Sequence, residues 1–230
     1  MKISALWLSL TLAATVFAAP EEIAFSRVDV SVKLEKTPKI EFNSIGSPTY
    51  GNNKGKVQNA NWVVVVVEYT PGYLPAGKKV NPKVVAKARE GAWIDDVTLD
   101  VDVEIPGERD KKTVLSGRTE FWTVQLDGRN HVALMLVPPQ ILERYLPLKG
   151  RSEQTVRLAD IKVQAIFRNK EGKELGVGYF NCPRKLEDAA DYFQQSLAAS
   201  NVIKGAVMPR HKTPWLYHQI DNYDLLKIDK

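Results

Sequence analysis

Along much of the chain, apolar and polar residues alternate with a period of two. Val28, Val30, Val32 and Leu34 alternate with Arg27, Asp29, Ser31, Lys33 and Glu35, which predicts a strand with one buried face. A short strand is expected over residues 39–45, followed by a loop at 46–61 rich in Gly, Asn, Ser and Pro. Val63 to Val67 then break the alternation with an unbroken run of valines between Trp62 and Glu68. Such a run has no wet face, so it predicts an interior strand covered on both sides.

Further on, Trp93, Val97, Leu99, Val101, Val103 and Ile105 are expected on one face of a strand, with Trp62 and Trp93 both in the core. Asp96, Thr98, Asp100, Asp102 and Glu104 form the opposite, solvated face. Asp95 falls in the apolar register and marks a bulge or a sheet edge. Residues 70–75, with two prolines and a glycine, read as a turn, and Pro106-Gly107 ends the later strand. Two strands at 118–126 and 131–137 flank Asp127-Gly128-Arg129-Asn130 and predict a hairpin. A second hairpin is expected from strands at 156–168 and 175–180.

Two helices interrupt this pattern. Pro138-Pro139 opens a short one with Ile141, Leu142 and Tyr145 on one side. A longer one begins at Pro183, with Leu186, Ala190, Phe193 and Leu197 as its apolar stripe and Arg184 paired to Asp188. Residues 201–214 read as loop, and 215–228 as a terminal strand or a strap across the sheet. The whole predicts a mainly β fold: a two-layer antiparallel β-sandwich with one short helix and one longer C-terminal helix. Strands do not alternate with long helices, which disfavours a doubly wound parallel sheet.

Composition adds a compartment. Lys2 precedes an almost wholly apolar stretch at 3–16, and Val16-Phe17-Ala18 supplies a small-x-small cleavage pattern before Pro20-Glu21-Glu22. Residues 1–18 are therefore read as a cleaved signal peptide and 19–230 as a single exported domain, placed in the periplasm or outer envelope, with no spanning segment in the mature chain. The formal charge is +5 with the signs well mixed, so no dense basic stripe points to nucleic acid. One cysteine and three histidines exclude a four-cysteine zinc site or a multi-disulfide scaffold within this chain. Cys182 is either a buried small hydrophobe or a reactive thiol near a helix N-terminus.

Candidate chemistry is sparse. Asp96, Asp100, Asp102 and Glu104 lie along an extended strand, which does not converge ligands as a calcium loop does. Asp127 and Glu143 are a conceivable glycosidase pair with no separation fixed by the sequence. No serine elbow is present, and Gly51 to Lys56 lack the ending of a phosphate loop. No catalytic residue, metal ligand or cofactor is assigned. Aromatic residues near strand ends are the better lead, because one ring presents a large apolar face at low entropic cost. Trp215 and Tyr217, with Lys204, Arg210 and Lys212 of the adjoining basic loop, form the candidate binding surface.

Residues 62–69, 96–107, 131–145 and 183–199 together resemble an exported immunoglobulin-like family of Akkermansia and related Verrucomicrobia, associated with type IV pilus assembly. The resemblance implies an immunoglobulin-like sandwich at the envelope, protein partners in pilus formation or adhesion, and no catalytic residues. The inter-sheet disulfide of antibody domains is ruled out, since Cys182 is the only cysteine. The reading is thus a non-enzymatic structural or binding protein, with self-association among its expectations. A carbohydrate-binding module or small glycan-active protein is the alternative.

Overall fold

A computed structural model describes residues 21–36, 61–75, 86–107, 112–146, 157–182 and 186–215. The elements are β1 (Glu21–Lys36), β2 (Asn61–Pro75), β3 (Trp93–Pro106), β4 (Lys112–Gln125), β5 (His131–Val137), α1 (Pro139–Tyr145), β6 (Lys162–Arg168), β7 (Glu174–Phe180), α2 (Leu186–Ala199), β8 (Asn201–Lys204) and β9 (Met208–Pro209). The fold is mainly β, with two sheets and two α-helices among the described residues. One sheet has the order β1-β2-β5-β9 and the other β7-β6-β3-β4-β8. All pairings are antiparallel except that of β8 on β4, which is parallel.

The valine run explains how the two layers meet. Val63, Val65 and Val67 point inward and join Val97, Leu99, Val101, Val103 and Ile105 of β3 in one shared core. Trp62 and Val64 point the other way and are buried with Leu134, Leu136 and Trp215. β2 is therefore an interior strand covered on both faces, as five β-branched residues in a row require. Each fully buried valine contributes roughly 1.5–3 kcal/mol of hydrophobic stabilisation before entropy is counted. Trp215 thus packs on the outer face of the four-stranded sheet.

Close backbone approaches join the layers at both sides. A Cβ on Gly176 or Gly178 of β7 would run into the carbonyls of Phe25 or Val28 in β1. On the other side, a Cβ on Gly117 of β4 would strike the Val207 carbonyl. Ala206 and Val207 N–H groups both donate to the Ser116 carbonyl there, at 3.1 and 3.3 Å. The chain crosses between the sheets at this point, from β8 to β9.

Several expectations are corrected. Residues 70–75 are not a turn: β2 continues through Pro75, paired with β1 from Ser26↔Thr70 to Glu21↔Pro75. β5 pairs with β2 only as far as Tyr69, so Pro71 and Pro75 fall where β2 has lost that neighbour and a missing N–H is tolerated. Nor do residues 118–137 form a hairpin. β4 pairs with β3 and β5 with β2, so Asp127 to Asn130 carry the chain from one sheet to the other. Turn chemistry reports the reversal but not the partner. The strand expected over 156–168 begins only at Lys162, after a 3-10 turn at Leu158–Asp160. The loop expected at 201–214 contains β8, β9 and a 3-10 turn at Arg210–Lys212. The hairpin of β6 and β7 forms as expected, with Gly172 at φ 80° in its turn. The signal peptide, the strand at 39–45, the phosphate-loop-like stretch, Arg184 and, beyond Trp215, the strand or strap expected at 215–228 lie outside the described residues.

Candidate functional site

The outer face of the five-stranded sheet holds most of the polar chemistry. Asp100, Asp102 and Glu104 stand on it in line along β3. The ladder register sets Arg118 opposite Asp100, Ser116 opposite Asp102 and Lys162 opposite Glu104. Cross-strand neighbours on one face are close enough to pair, and each does. Arg118 donates through Nε at 2.6 Å to Asp100, and Arg168 donates to the other oxygen of the same carboxylate. Ser116 donates to Asp102.

Glu104 lies at the end of this row and is 3% exposed. It accepts hydrogen bonds from Tyr192 OH at 2.5 Å and from Ser196 Oγ, both on α2. Lys112 and Lys162 ammonium groups sit 3.3 and 3.4 Å from it. Burial pushes the Glu104 carboxyl up, but the bonds from Ser196 and Tyr192 and the two lysine charges outweigh it and hold it below the usual value. Asp102 goes the other way: burial raises its carboxyl, and the Ser116 bond only partly offsets this. The face expected to be solvated is therefore a row of paired carboxylates, roofed at one end by α2. Among the described residues, no group of three His, Cys, Asp or Glu is placed to hold a metal ion.

The α2 stripe is also rotated from expectation. Ala189, Phe193 and Ser196 are buried, while Ala190 is exposed and Leu197 half-buried. Apolar spacing cannot identify Ser196 as an inward position, because its partner is a buried carboxylate. Phe193 stacks on Tyr179 of β7 with ring centroids 6.0 Å apart.

The other end of the same sheet is where large apolar side chains are exposed. Trp93 and Trp122 are 54% and 60% exposed, the highest values for large apolar residues among those described. The core position expected for Trp93 is corrected. Asp96 has φ 56°, and across this kink the inward positions change from Val97 and Phe121 to Ile94 and Val124. Trp93 is thereby turned outward. Trp122, alternating with Phe121 and beside Glu120, already stood in the polar phase of β4. Both tryptophans point away from the core. Along the strands they are offset by three positions, roughly 10 Å.

This end is also where β8 stops short along β4. β8 pairs with β4 only from Thr113 to Ser116. Lys204 pairs opposite Ser116 and is exposed at that end of β8.

The residues proposed from sequence are thus dispersed. Trp215 is buried against β2 and β5, and Arg210 is buried beside β5. Lys204 and Lys212 are exposed, and Tyr217 lies outside the described residues. Asp127 lies 2.9 Å from His131 Nε2 and accepts the Arg129 N–H, while Glu143 is exposed on α1. Asp127 is committed to closing its own turn. Cys182 is half-buried; its thiol donates to the Phe180 carbonyl at 3.1 Å, and burial pushes its pKa up to about 11. It is not an activated nucleophile.

A protein-family model matches residues 26–230. No curated protein matches the chain. A crystal structure of a protein from Akkermansia muciniphila is similar, with a TM-score of 0.61 at 12% sequence identity, covering 91% of this chain and 96% of that one. At that identity the likeness is one of fold.

Proposed function

Since the chain belongs to the family whose model spans its residues 26–230, we propose that it is a non-enzymatic, exported protein of the cell envelope that works by binding. In this reading residues 1–18 are removed, and residues 19–230 form one immunoglobulin-like sandwich that takes part in type IV pilus formation or adhesion. The export pattern and the family resemblance support the location and the process. The observation that carries the binding role is the outward pair Trp93 and Trp122, 54% and 60% exposed, at the end of the five-stranded sheet that β8 does not reach. Trp122 supplies an apolar anchor of the kind enriched at interfaces.

The test is a cross-linked pull-down from cell envelopes with the mature protein and its Trp122→Glu variant. Recovery of pilus components by the wild type, reduced about tenfold or more by the variant, is the expected result. Equal recovery by both would overturn the assignment of this surface. A second reading rests on Trp93 and Trp122 together: two outward indole rings on one face suit stacking against sugar rings. Calorimetry with oligosaccharides at millimolar concentration decides it, and the absence of heat would remove it.

A further inference from the structure

We propose that Asp102 and Gln164 form a proton-operated contact on the sheet face that α2 roofs. On gaining a proton, Asp102 donates it to the Gln164 side-chain carbonyl and completes a polar network that is one donor short.

The missing donor is visible in the structure. Gln164 is 7% exposed, and its Oε1 has no hydrogen-bond partner among the described residues. A buried acceptor left this way bears the cost of its lost hydration. Its ladder neighbours are Asp102 on β3 and Tyr179 on β7, and the Tyr179 ring stacks on Phe193 of α2. Cross-strand neighbours on one face are within side-chain reach. A carboxylate offers only acceptors, whereas a carboxylic acid has one O–H to give. One oxygen of Asp102 already accepts the Ser116 hydroxyl, which leaves the other for the proton.

The charges around Asp102 are committed elsewhere. On β3 it stands between Asp100 and Glu104. Arg118 of β4 and Arg168 of β6 both pair with Asp100. Lys112 of β4 and Lys162 of β6 both reach Glu104, as do Tyr192 and Ser196 of α2. Lys204 of β8 is opposite Ser116 in the ladder. Burial and the Asp100 charge push the Asp102 carboxyl up, and the Ser116 bond and the Arg168 charge only partly offset them. Glu104 is held below its ordinary value. As pH falls, Asp102 therefore takes its proton first, while Glu104 is still ionised and bonded to α2. A raised folded-state value means that protonation of Asp102 adds stability as pH falls through it. The lowered value of Glu104 means that its loss follows at lower pH. Acid thus tightens this face before it loosens it.

Carbon-13 NMR of the side-chain carboxyl and carboxamide groups of the mature chain from pH 8 to 3 tests this, with wild type and Asp102→Asn compared. The Asp102 midpoint should lie above 3.8 and above that of Glu104. The Gln164 Cδ signal should move at the Asp102 midpoint in the wild type and not in the variant. Asp102→Asn supplies a permanent N–H donor, so its urea midpoint should exceed that of the wild type at pH 7 and match it once Asp102 is protonated. An Asp102 midpoint at or below 3.8 would overturn the proposal, since Gln164 would then be turned to donate to the ionised form. A Gln164 signal that ignores Asp102 would overturn it as well. So would a lower urea midpoint for Asp102→Asn at pH 7, or its failure to fold, because the carboxylate itself would then be what the sheet requires.

Discussion

A thiol whose pKa is pushed up to about 11 by burial is almost wholly protonated at neutral pH. Alkylation of Cys182 by iodoacetamide should therefore be roughly hundredfold slower at pH 7 than that of an unperturbed cysteine, rising about tenfold per pH unit to pH 10. Mass spectrometry of timed reactions measures this, and rapid labelling at pH 7 would contradict it. Trp215 gives a second prediction. It is 3% exposed against Trp62, Val64, Leu134 and Leu136. Trp215→Ala should cost about 3–5 kcal/mol in urea unfolding and leave partner capture by the folded fraction intact. Loss of capture without loss of stability would instead make it a contact residue. The two outward tryptophans show where reading by residue succeeds and where it stops. Trp122 stands in the polar phase of its strand and is legible as exposed. Trp93 shares the register of Val97 and Leu99, and only the positive φ at Asp96, invisible to alternation, turns it out.

At the scale of elements, periodicity finds strands and helices better than it finds their partners. β2, β3, α1 and the β6–β7 hairpin follow from their patterns, because burial on one face or both leaves a period that needs no tertiary knowledge. The parallel β8 does not, since four residues in a Gly- and Pro-containing stretch carry too little pattern to distinguish strand from loop. The inward face of α2 was misread for a related reason: a serine faces inward to meet Glu104, and hydropathy scores that position as solvent-facing. The same contact gives α2 a pH dependence. Glu104 has a folded-state pKa below its ordinary 4.5, so its stabilising contribution is complete above that value and is lost as pH falls through the lower folded one. Asp102 has the opposite sign, its ionised form being disfavoured by burial, so acid relieves it and does not loosen the sheet there. Amide NMR spectra recorded from pH 6 to 3 should show α2 signals moving to unfolded positions before those of β2 and β5. Simultaneous loss of all signals would contradict this order.

At the scale of the whole molecule, the two sheets and their shared core were largely legible from the valine run and the alternating strands. The assignment of strands to sheets was not, because the Asp127–Asn130 turn joins the layers where its chemistry suggests a hairpin. The binding surface was least legible. That surface depends on where one strand stops short of its neighbour, as β8 does after Ser116, and on the kink at Asp96 that turns Trp93 outward, and no local pattern encodes either. The aromatic and basic residues after Ser200 suggested a surface, yet Trp215 and Arg210 serve packing there.

Binding through the outward face around Trp122 is the central claim, and site-specific photo-crosslinking tests it most directly. With a photoreactive residue at position 122 or 120 of the mature protein in intact cells, covalent adducts to a pilus or other envelope protein should form. A control at exposed Glu143 on α1 should give none. Adducts at position 143 with none at 120 or 122 would contradict the account and move the interface away from the outward face of the five-stranded sheet.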